Sequence, residues 1–560
     1  MERTFWYKDA VFYQIWPRSF ADADGDGVGD LMGVYAKLDY IKSLHVDAIW
    51  FSPLYPSPNA DHGYDVMDYM DISAEYGGMA AFKKVLDGAH ERGMRVIMDL
   101  VVNHTSTEHP WFQASRRGEE PYKDYYIWRP ARRDGTLPNN WDSLFEGKAW
   151  QYDELRKEYY LHLFAIKQAD LNMDNPRVRD EVKKIMRFWL DMGVDGFRED
   201  VITFISKDKG LPNGFPLLPA ARGVSHYSNG PHLHEYLNEF RAVLDHYDCV
   251  TIGEAPLITP RRALEFIGGK NPELDMMISF QCMEADCFFQ EYIPHRFSLL
   301  KLKHIWAHWQ RGLRDRGWNF LYLENHDHPR IISRYGSEKH RVESGKALAA
   351  AYLFQQGTPI IYQGQEIGMT NIRLESIDMY EDVQTIQHYH SFFTSMPEQK
   401  RMERIWRASR DSARTPMQWD DSENAGFTTG EPWFYVNPNY TQINVAAQEE
   451  DPESLLNFYR EAVRLRTELP VVRYGTFRLY YPLSRKLLVY ERRSKAQRLL
   501  VICSFSPERV KFKAPKGYDL QKGKLILRSH GDKTVKNGFL TEPYETRVYL
   551  FRDRPERVTI

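Results

Sequence analysis

The chain has 560 residues, and its 74 Lys and Arg residues against 77 Asp and Glu residues give a formal net charge of −3. A balance so close to neutral gives no electrostatic reason to expect binding to nucleic acid or to an anionic membrane surface. The first residues lack the apolar stretch of an export signal, no run is long enough to span a membrane, and the spacing of the four cysteines matches neither a redox pair nor a zinc site. We therefore expect a monomeric cytoplasmic protein that acts on a neutral small molecule.

An acidic loop is the first notable feature along the chain. Its carboxylates, Asp22, Asp24, Asp26 and Asp30, alternate with small residues around the backbone carbonyl of Val28. This spacing is that of the first nine positions of an EF-hand loop. Position twelve is Gly33, so the bidentate Glu is missing, and no helix precedes the loop. A solvated acidic turn is the alternative, but four carboxylates at strict alternation repel one another without a cation, so we predict a structural calcium or magnesium ion here.

Four apolar runs, each rich in Val, Ile or Leu, lead into polar residues. The polar ends are Asp99 to His104, Arg198 with Asp200, Glu254, and His326 with Asp327. Continuous apolar runs are typical of parallel strands that are buried on both faces, and segments 79–92 and 176–193 between them have helical periodicity. This alternation predicts an α/β fold, a (β/α)₈ TIM barrel, in which polar residues at the carboxyl ends of several strands meet in one site.

Two further segments do not follow the barrel pattern. Too many residues separate Asn103 from Asp200 for one helix and a loop, and they are rich in aromatic and turn residues. We therefore expect an inserted small domain over 104–170, after strand 3, between barrel segments 1–103 and 171–474. Beyond residue 474, short β-rich runs with turn signals at close spacing predict a C-terminal antiparallel β-sandwich domain over 475–560.

The polar strand ends suit acid–base chemistry. Arg198 and Asp200 are two residues apart and project from the same face of a strand, so the guanidinium is expected to keep the carboxylate ionised, as a nucleophile must be. A structural ion pair is the alternative for these two residues taken alone. Glu254 ends an apolar run, where partial desolvation favours the protonated form. One ionised and one protonated carboxyl group are what retaining glycoside hydrolysis requires.

Together these segments resemble a known family. Residues 99–104, 196–200, Glu254 and 325–327 are similar to the ordered signature regions of glycoside hydrolase family 13, the α-amylase family, and 168–172 resembles the extra region of its oligo-1,6-glucosidase subfamily. The resemblance extends through residues 414–419. It implies that Asp200 is the nucleophile, Glu254 the general acid/base and Asp327 the stabiliser of the transition state, and that the acidic loop binds its ion away from the reaction centre.

The resemblance also implies a set of substrate-binding residues. His104, Arg198 and His326 would surround the glucose on the non-reducing side of the scissile bond, Tyr64 would stack on it, Asp61 with Arg414 would hold its distal hydroxyls, and Phe145 and Phe164 belong to the same set. A pocket closed in this way admits a chain end rather than the middle of a polymer.

Leaving-group preference depends on fewer positions. At the position of Val201, α-1,6-acting relatives carry Val, whereas α-1,4-acting relatives carry Thr or Ala. Glu199 and His328 depart from the subfamily's commoner Met and Gln, and both flank the expected site.

The resemblance therefore implies a retaining, exo-acting α-glucosidase that releases glucose from short α-1,6-linked substrates such as isomaltose, isomaltooligosaccharides and panose, without an organic cofactor. Three alternatives stay open. A trehalose-6-phosphate hydrolase would need a cationic phosphate clamp, which the sequence does not assign. An α-glucosidase that prefers sucrose or α-1,4 linkages shares these motifs. A catalytically inactive binding subunit is disfavoured because all three carboxylates are present.

Overall fold

A closed barrel of eight parallel strands forms the centre of the molecule. The computed structural model describes residues 5–145, 147–216, 222–288, 290–391, 394–531 and 535–552. The barrel strands are β1 (Phe12–Ile15), β2 (Ala48–Phe51), β3 (Arg95–Leu100), β4 (Gly196–Glu199), β5 (Val250–Glu254), β6 (Met276–Ile278), β7 (Phe320–Leu321) and β8 (Thr358–Tyr362). Their order is β6-β5-β4-β3-β2-β1-β8-β7, and a parallel bridge between Met277 and Asn319 closes the ring. The predicted (β/α)₈ fold is confirmed.

Helices connect the barrel strands and cover their outer face. They include Leu31–Ala36, Leu38–Ser43, Gly78–Glu91, Pro176–Met192, Leu233–Leu244, Pro260–Ile267, Leu299–Leu313, Arg341–Leu353 and Leu455–Glu468. Shorter or peripheral ones are Val224–Tyr227, Ile331–Arg334, Val383–Ser391, Glu398–Ala408, Asp411–Arg414, Val445–Glu449 and Pro470–Tyr474. The helices predicted over 79–92 and 176–193 agree with the structure to within one residue at each end. No helix in the described part of the chain is both long and apolar enough to cross a membrane.

The helix Pro176–Met192 shows why these segments are helical. The Asn175 side chain accepts a hydrogen bond from the Arg177 backbone N–H, Pro176 occupies the first turn, and Gly193 ends the helix with φ 106°. Its buried side chains recur every three to four residues, as a helix with one face on the barrel requires: Val178, Val182, Ile185, Met186 and Trp189.

The segment after β3 forms small sheets of its own above the carboxyl ends of the barrel strands. His104–Ser106 pairs antiparallel with Gln168–Asp170, and Trp128–Arg129, Glu158–Leu161 and Trp150–Asp153 form a three-stranded antiparallel sheet. The helix Pro110–Arg116 packs beside them through Phe112, whose ring contacts Trp128 and Tyr160. The two-stranded pairing positions the side chains of His104 and Gln168 at the barrel mouth.

The C-terminal part is antiparallel, as predicted. Its five-stranded sheet has the order Thr476–Tyr480, Leu487–Arg493, Gln497–Ser504, Thr546–Arg552 and Lys524–Arg528, and Lys511–Lys513 pairs with Gly538–Leu540 in a second sheet. Phe512 of the second sheet lies in one apolar cluster with Val489 and Ile502 of the first. The Tyr490 hydroxyl donates to the Ala350 carbonyl at 3.2 Å and ties this sandwich to a barrel helix.

Candidate active site

A cavity of about 270 Å³ opens at the carboxyl ends of the barrel strands. Nine of the residues predicted for catalysis or substrate binding line it: Asp61, Tyr64, His104, Phe145, Phe164, Asp200, Val201, Glu254 and Asp327. The other three, Arg198, His326 and Arg414, are buried directly behind these side chains. The sequence-derived set therefore converges on one site, as polar strand ends of a barrel do.

The Arg198 guanidinium organises the catalytic carboxyl groups. Its Nη1 lies 2.6 Å from Asp200 Oδ1 and 2.8 Å from Asp99 Oδ1, and its Nη2 lies 2.6 Å from Glu254 Oε2. All four side chains are almost completely buried. One cation thus holds the carboxyl groups at the ends of β4 and β5 close together.

Burial sets the protonation of these groups. It raises the pKa of Asp200 to about 7 and that of Glu254 to about 8, and the nearby Arg198 opposes both shifts without cancelling them. Arg198, which was expected from the sequence to keep Asp200 ionised, does favour the ionised form, but desolvation is the larger effect. Both carboxyl groups therefore titrate near neutral pH as an interacting pair, in which one group can be ionised while the other is protonated, as a nucleophile and an acid require.

Asp327, in contrast to Asp200 and Glu254, is held in the ionised state. Burial alone would raise its pKa, but a hydrogen bond from His326 and the charges of Arg410 and Arg414 hold the pKa of Asp327 well below its usual range. Its Oδ1 lies 3.1 Å from Arg410 Nη1, and its Oδ2 lies 3.1 Å from His326 Nε2. Asp327 is therefore a fixed anion facing the cavity.

The His326 ring is clamped in one orientation. It stacks on Tyr64, with ring centroids 5.2 Å apart, and on Trp16, with centroids 5.3 Å apart. The Gln14 side-chain amide lies 2.7 Å from His326 Nδ1, and because that amide donates, the ring proton sits on Nε2, which lies 2.6 Å from the Tyr64 hydroxyl and 3.1 Å from Asp327 Oδ2. Burial lowers the pKa of His326 to about 4, so the ring is neutral near pH 7.

An ion pair that was not anticipated from the sequence lies at the closed end. The ion pair with Asp61 is made by Arg410, whose Nη2 lies 3.4 Å from Asp61 Oδ1, and not by Arg414. Arg414 lies one helical turn further from the cavity, where its Nε donates to the His326 carbonyl at 3.1 Å. Arg410 lines the cavity and Arg414 does not. Gln168 completes this end, since its Nε2 donates to Asp61 Oδ2 at 3.1 Å.

Aromatic side chains form the wall beside this closed end. Phe145 and Phe164 meet edge to face with centroids 5.3 Å apart, and the Arg410 guanidinium lies 4.9 Å from the Phe145 ring. His104 packs on Phe164 and directs Nε2 toward the Tyr64 carbonyl at 3.2 Å. Burial lowers the pKa of His104 to about 4, so it too is a neutral hydrogen-bonding group.

Val201 has a strained backbone immediately after Asp200. Its φ of 35° and ψ of 40° lie in the left-handed region, which is an outlier for a β-branched residue and costs about 1–3 kcal/mol. In this conformation the Val201 N–H donates to Glu254 Oε2 at 3.1 Å, and the side chain lines the cavity. The turn thus links the segment after Asp200 to the carboxyl group of Glu254.

The two unusual residues lie on different sides of the barrel wall. Glu199 alternates with Arg198 and Asp200 along β4, so it points away from the cavity and accepts a hydrogen bond from the Thr251 hydroxyl. His328 lines the cavity. Only His328, therefore, is placed to touch a leaving group.

The acidic loop lies apart from this cavity. One carboxylate oxygen each from Asp22, Asp24 and Asp30 lies within 4.8 Å of the others, an all-oxygen group that suits calcium or magnesium. Asp26 is not part of this group, and its Oδ1 accepts a hydrogen bond from the Val28 N–H at 2.8 Å. Asp30 also caps the helix Leu31–Ala36.

Several residues of the site were not assigned to it from the sequence, and three of them act on predicted site residues. Arg410 and Gln168 lie at the closed end, and Gln14 orients His326 from β1. Gln14 carried a usable signal, because it is a polar residue within the apolar run of a strand buried on both faces. Arg410 carried none, since its partner Asp61 is 349 positions away.

Comparison with known proteins agrees with this geometry. The family model for the α-amylase catalytic domain matches residues 14–475. The oligo-1,6-glucosidase of Parageobacillus thermoglucosidasius is 49% identical over 99% of this chain and 100% of its own length. The trehalose-6-phosphate hydrolase of Bacillus licheniformis superimposes with a TM-score of 0.93 at 42% identity, covering 97% of this chain and 99% of its own. The isomaltulose synthase of Protaminobacter rubrum has a TM-score of 0.94 at 38% identity, and the match covers 98% of this chain and 100% of its own. The chain therefore belongs to glycoside hydrolase family 13, the α-amylase family, and to its oligo-1,6-glucosidase subfamily.

Proposed function

We propose that this protein is a retaining, exo-acting α-glucosidase that releases glucose from the non-reducing end of short α-1,6-linked saccharides such as isomaltose and panose. One observation carries the proposal: Asp200 and Glu254 share the Arg198 guanidinium in a pocket whose far end is closed by the Asp61–Arg410 ion pair. A pocket closed at one end accepts a terminal sugar. The full-length similarity to oligo-1,6-glucosidases supports the α-1,6 linkage.

The site residues support a double displacement. Asp200, when ionised, attacks the anomeric carbon, and Glu254 gives its proton to the departing glycosidic oxygen, so that a glucosyl ester of Asp200 forms and the leaving sugar departs. Glu254, now ionised, takes a proton from water, and the resulting attack releases glucose and restores both groups. Asp327 faces the same pocket and can bind sugar hydroxyls as the ring flattens, and His326, buried behind it, holds its carboxylate in place.

The charge of the cavity argues against a phosphorylated substrate. Among the described residues that line it, six carry carboxyl groups (Asp61, Asp200, Glu254, Glu284, Glu291 and Asp327) and one, Arg410, carries a guanidinium. That guanidinium is already paired with Asp61 at the glucose end. A phosphate dianion in the leaving group would meet carboxylates rather than the cationic clamp that it requires.

A turnover panel tests the proposal. We expect kcat/KM to be highest for isomaltose and panose, lower for maltose, sucrose and trehalose, and lowest for trehalose 6-phosphate. Glucose released from isomaltose should appear first as the α-anomer, which NMR detects before mutarotation. A preference for trehalose 6-phosphate over isomaltose would overturn the proposed substrate, and initial β-glucose would overturn the retaining mechanism.

Val201→Thr should shift linkage preference. Threonine has the shape of valine but adds a hydroxyl to the cavity wall next to Asp200, a change that we expect to move the ratio of kcat/KM values from isomaltose toward maltose by roughly tenfold. Val224→Thr makes the same change at another position of the cavity wall and should leave the ratio unchanged. If Val201→Thr and Val224→Thr both keep the wild-type ratio, the Val201 side chain only packs against its neighbours and does not set the linkage preference.

We propose that Asp22, Asp24 and Asp30 hold a structural calcium or magnesium ion. Since an ion bound only to the folded state stabilises it, removal by a chelator should lower the Tm, and added calcium or magnesium should restore it, with little change in rate per folded molecule. Asp24→Asn should reduce the chelator effect, whereas Asp26→Asn, outside the group, should retain it. Superimposed melting curves of stripped and reloaded wild-type protein would contradict the proposal.

The proposal includes a monomer in the cytoplasm. Light scattering after gel filtration tests the oligomeric state, and cell fractionation tests the location.

A further inference from the structure

The leaving-group end of the cavity contains a histidine whose role the proposed mechanism does not use. Asp61 and His104 follow β2 and β3 and form the glucose end, whereas Leu257 and Phe280 follow β5 and β6 on the other side of Glu254. His328 lies on this second side, packed edge-on against Phe280 with ring centroids 5.0 Å apart. It is nearly buried, yet it lines the cavity.

The position of the His328 ring is fixed by a buried charge network. His328 Nδ1 lies 2.9 Å from Glu291 Oε1, and the same oxygen lies 3.2 Å from Arg334 Nη1. Arg334 is in turn held by Asp286, 2.7 Å from its Nη2. Although burial opposes it, the charge of Arg334 and the hydrogen bond from His328 lower the pKa of Glu291 to about 2, so Glu291 is ionised.

This network determines which ring nitrogen of His328 carries a proton. Because the Glu291 carboxylate can only accept, Nδ1 must carry a proton. In the neutral ring, Nε2 is then a hydrogen-bond acceptor. The Tyr322 hydroxyl lies 3.5 Å from Nε2 but donates to the Ser279 carbonyl at 3.2 Å, so Nε2 receives at most a long contact from it.

The surroundings make this acceptor selective. Leu257, Phe280 and Met283 provide apolar surface on the same side of the cavity. A sugar leaving group can place a ring face on such surface and one hydroxyl on His328 Nε2. A leaving group without hydroxyls gains only the apolar contact.

We propose that His328, positioned by Glu291 and Arg334, is the leaving-group recognition residue of this enzyme: its Nε2 accepts a hydrogen bond from a hydroxyl of the departing sugar. The inference rests on the proposed glucosidase function and adds the residue that distinguishes saccharide from non-saccharide leaving groups.

The test compares kcat/KM for isomaltose with that for p-nitrophenyl α-glucoside, whose leaving group has no hydroxyl to donate once bound. We expect His328→Leu to lower the isomaltose-to-aryl ratio by roughly tenfold, mainly through KM for isomaltose. His328→Gln, which keeps an acceptor on a side chain of similar reach, should stay within about threefold of the wild-type ratio. The ratio does not depend on the folded fraction, because both substrates report on the same active molecules.

Glu199→Met serves as the matched control, because it changes the other unusual residue, which points away from the cavity. The isomaltose-to-aryl ratio of kcat/KM for this variant should equal that of the wild type. If His328→Leu keeps the wild-type ratio, the inference is wrong and the proposed function stands. If the wild type hydrolyses neither substrate, the proposed function is wrong and the inference falls with it. If His328→Leu loses the aryl activity as well, His328→Met makes the same deletion with a more adaptable side chain, and an unchanged ratio there also overturns the inference.

Discussion

Asp200→Asn should lower kcat for isomaltose by roughly four orders of magnitude or more while the protein stays folded. The amide has the shape of the carboxylate but cannot form the glucosyl ester. Asp99 and Glu254 would still contact Arg198, so the guanidinium is not left without a counter-charge. Initial rates on isomaltose, together with Tm and circular dichroism, check the two parts of this expectation.

Asp195→Asn is the matched control for Asp200→Asn. Asp195 lies just before the opposite end of β4, where its carboxylate pairs with Arg95 and His90 outside the cavity. We expect it to retain activity. A 5-fluoro-α-glucosyl fluoride should label the wild type on the peptide that contains Asp200 and should not label Asp200→Asn. Near wild-type turnover by Asp200→Asn, or a label on another peptide, would show that the nucleophile is a different residue.

The barrel and the convergence of its strand ends could be predicted because both depend on local patterns. Apolar runs with polar ends specify buried parallel strands, and barrel closure then brings Asp200, Glu254 and Asp327 to one mouth regardless of their separation in sequence. The helices over 79–92 and 176–193 were predictable for the same reason, since periodicity and end signals are local.

What could not be predicted depends on contacts between distant segments. Arg410 and Arg414 are four residues apart on one helical turn, and only the packing of that turn decides which of them reaches Asp61. The protonation of Asp200 is a second example. The neighbouring Arg198 is visible in the sequence, but the degree of burial, which outweighs it, depends on the assembled barrel and inserted segment.

Glu254→Gln tests the assignment of the acid, and the pH profile of the wild type supplies its reference. Attack requires ionised Asp200, so kcat/KM should rise as pH increases through the pKa of Asp200, about 7. Departure of the leaving group requires protonated Glu254, so kcat/KM should fall as pH increases through the pKa of Glu254, about 8. We therefore expect a narrow bell-shaped plot of kcat/KM against pH, with its maximum between these two pKa values. Because the two carboxyl groups interact, the limbs report pKa values of the pair.

In Glu254→Gln the amide cannot transfer a proton, so kcat/KM for isomaltose should fall by about 10²–10⁴. The loss should be smaller for p-nitrophenyl α-glucoside, because a phenolate needs little protonation to depart. The alkaline limb should disappear, leaving one rise with pH that reports Asp200. Glu284→Gln, a carboxyl at the same cavity that does not contact Arg198, should keep both limbs. An alkaline limb that persists in Glu254→Gln would assign the proton donor to another group, and equal losses on both substrates would mean that Glu254 supports the site without protonating the leaving oxygen.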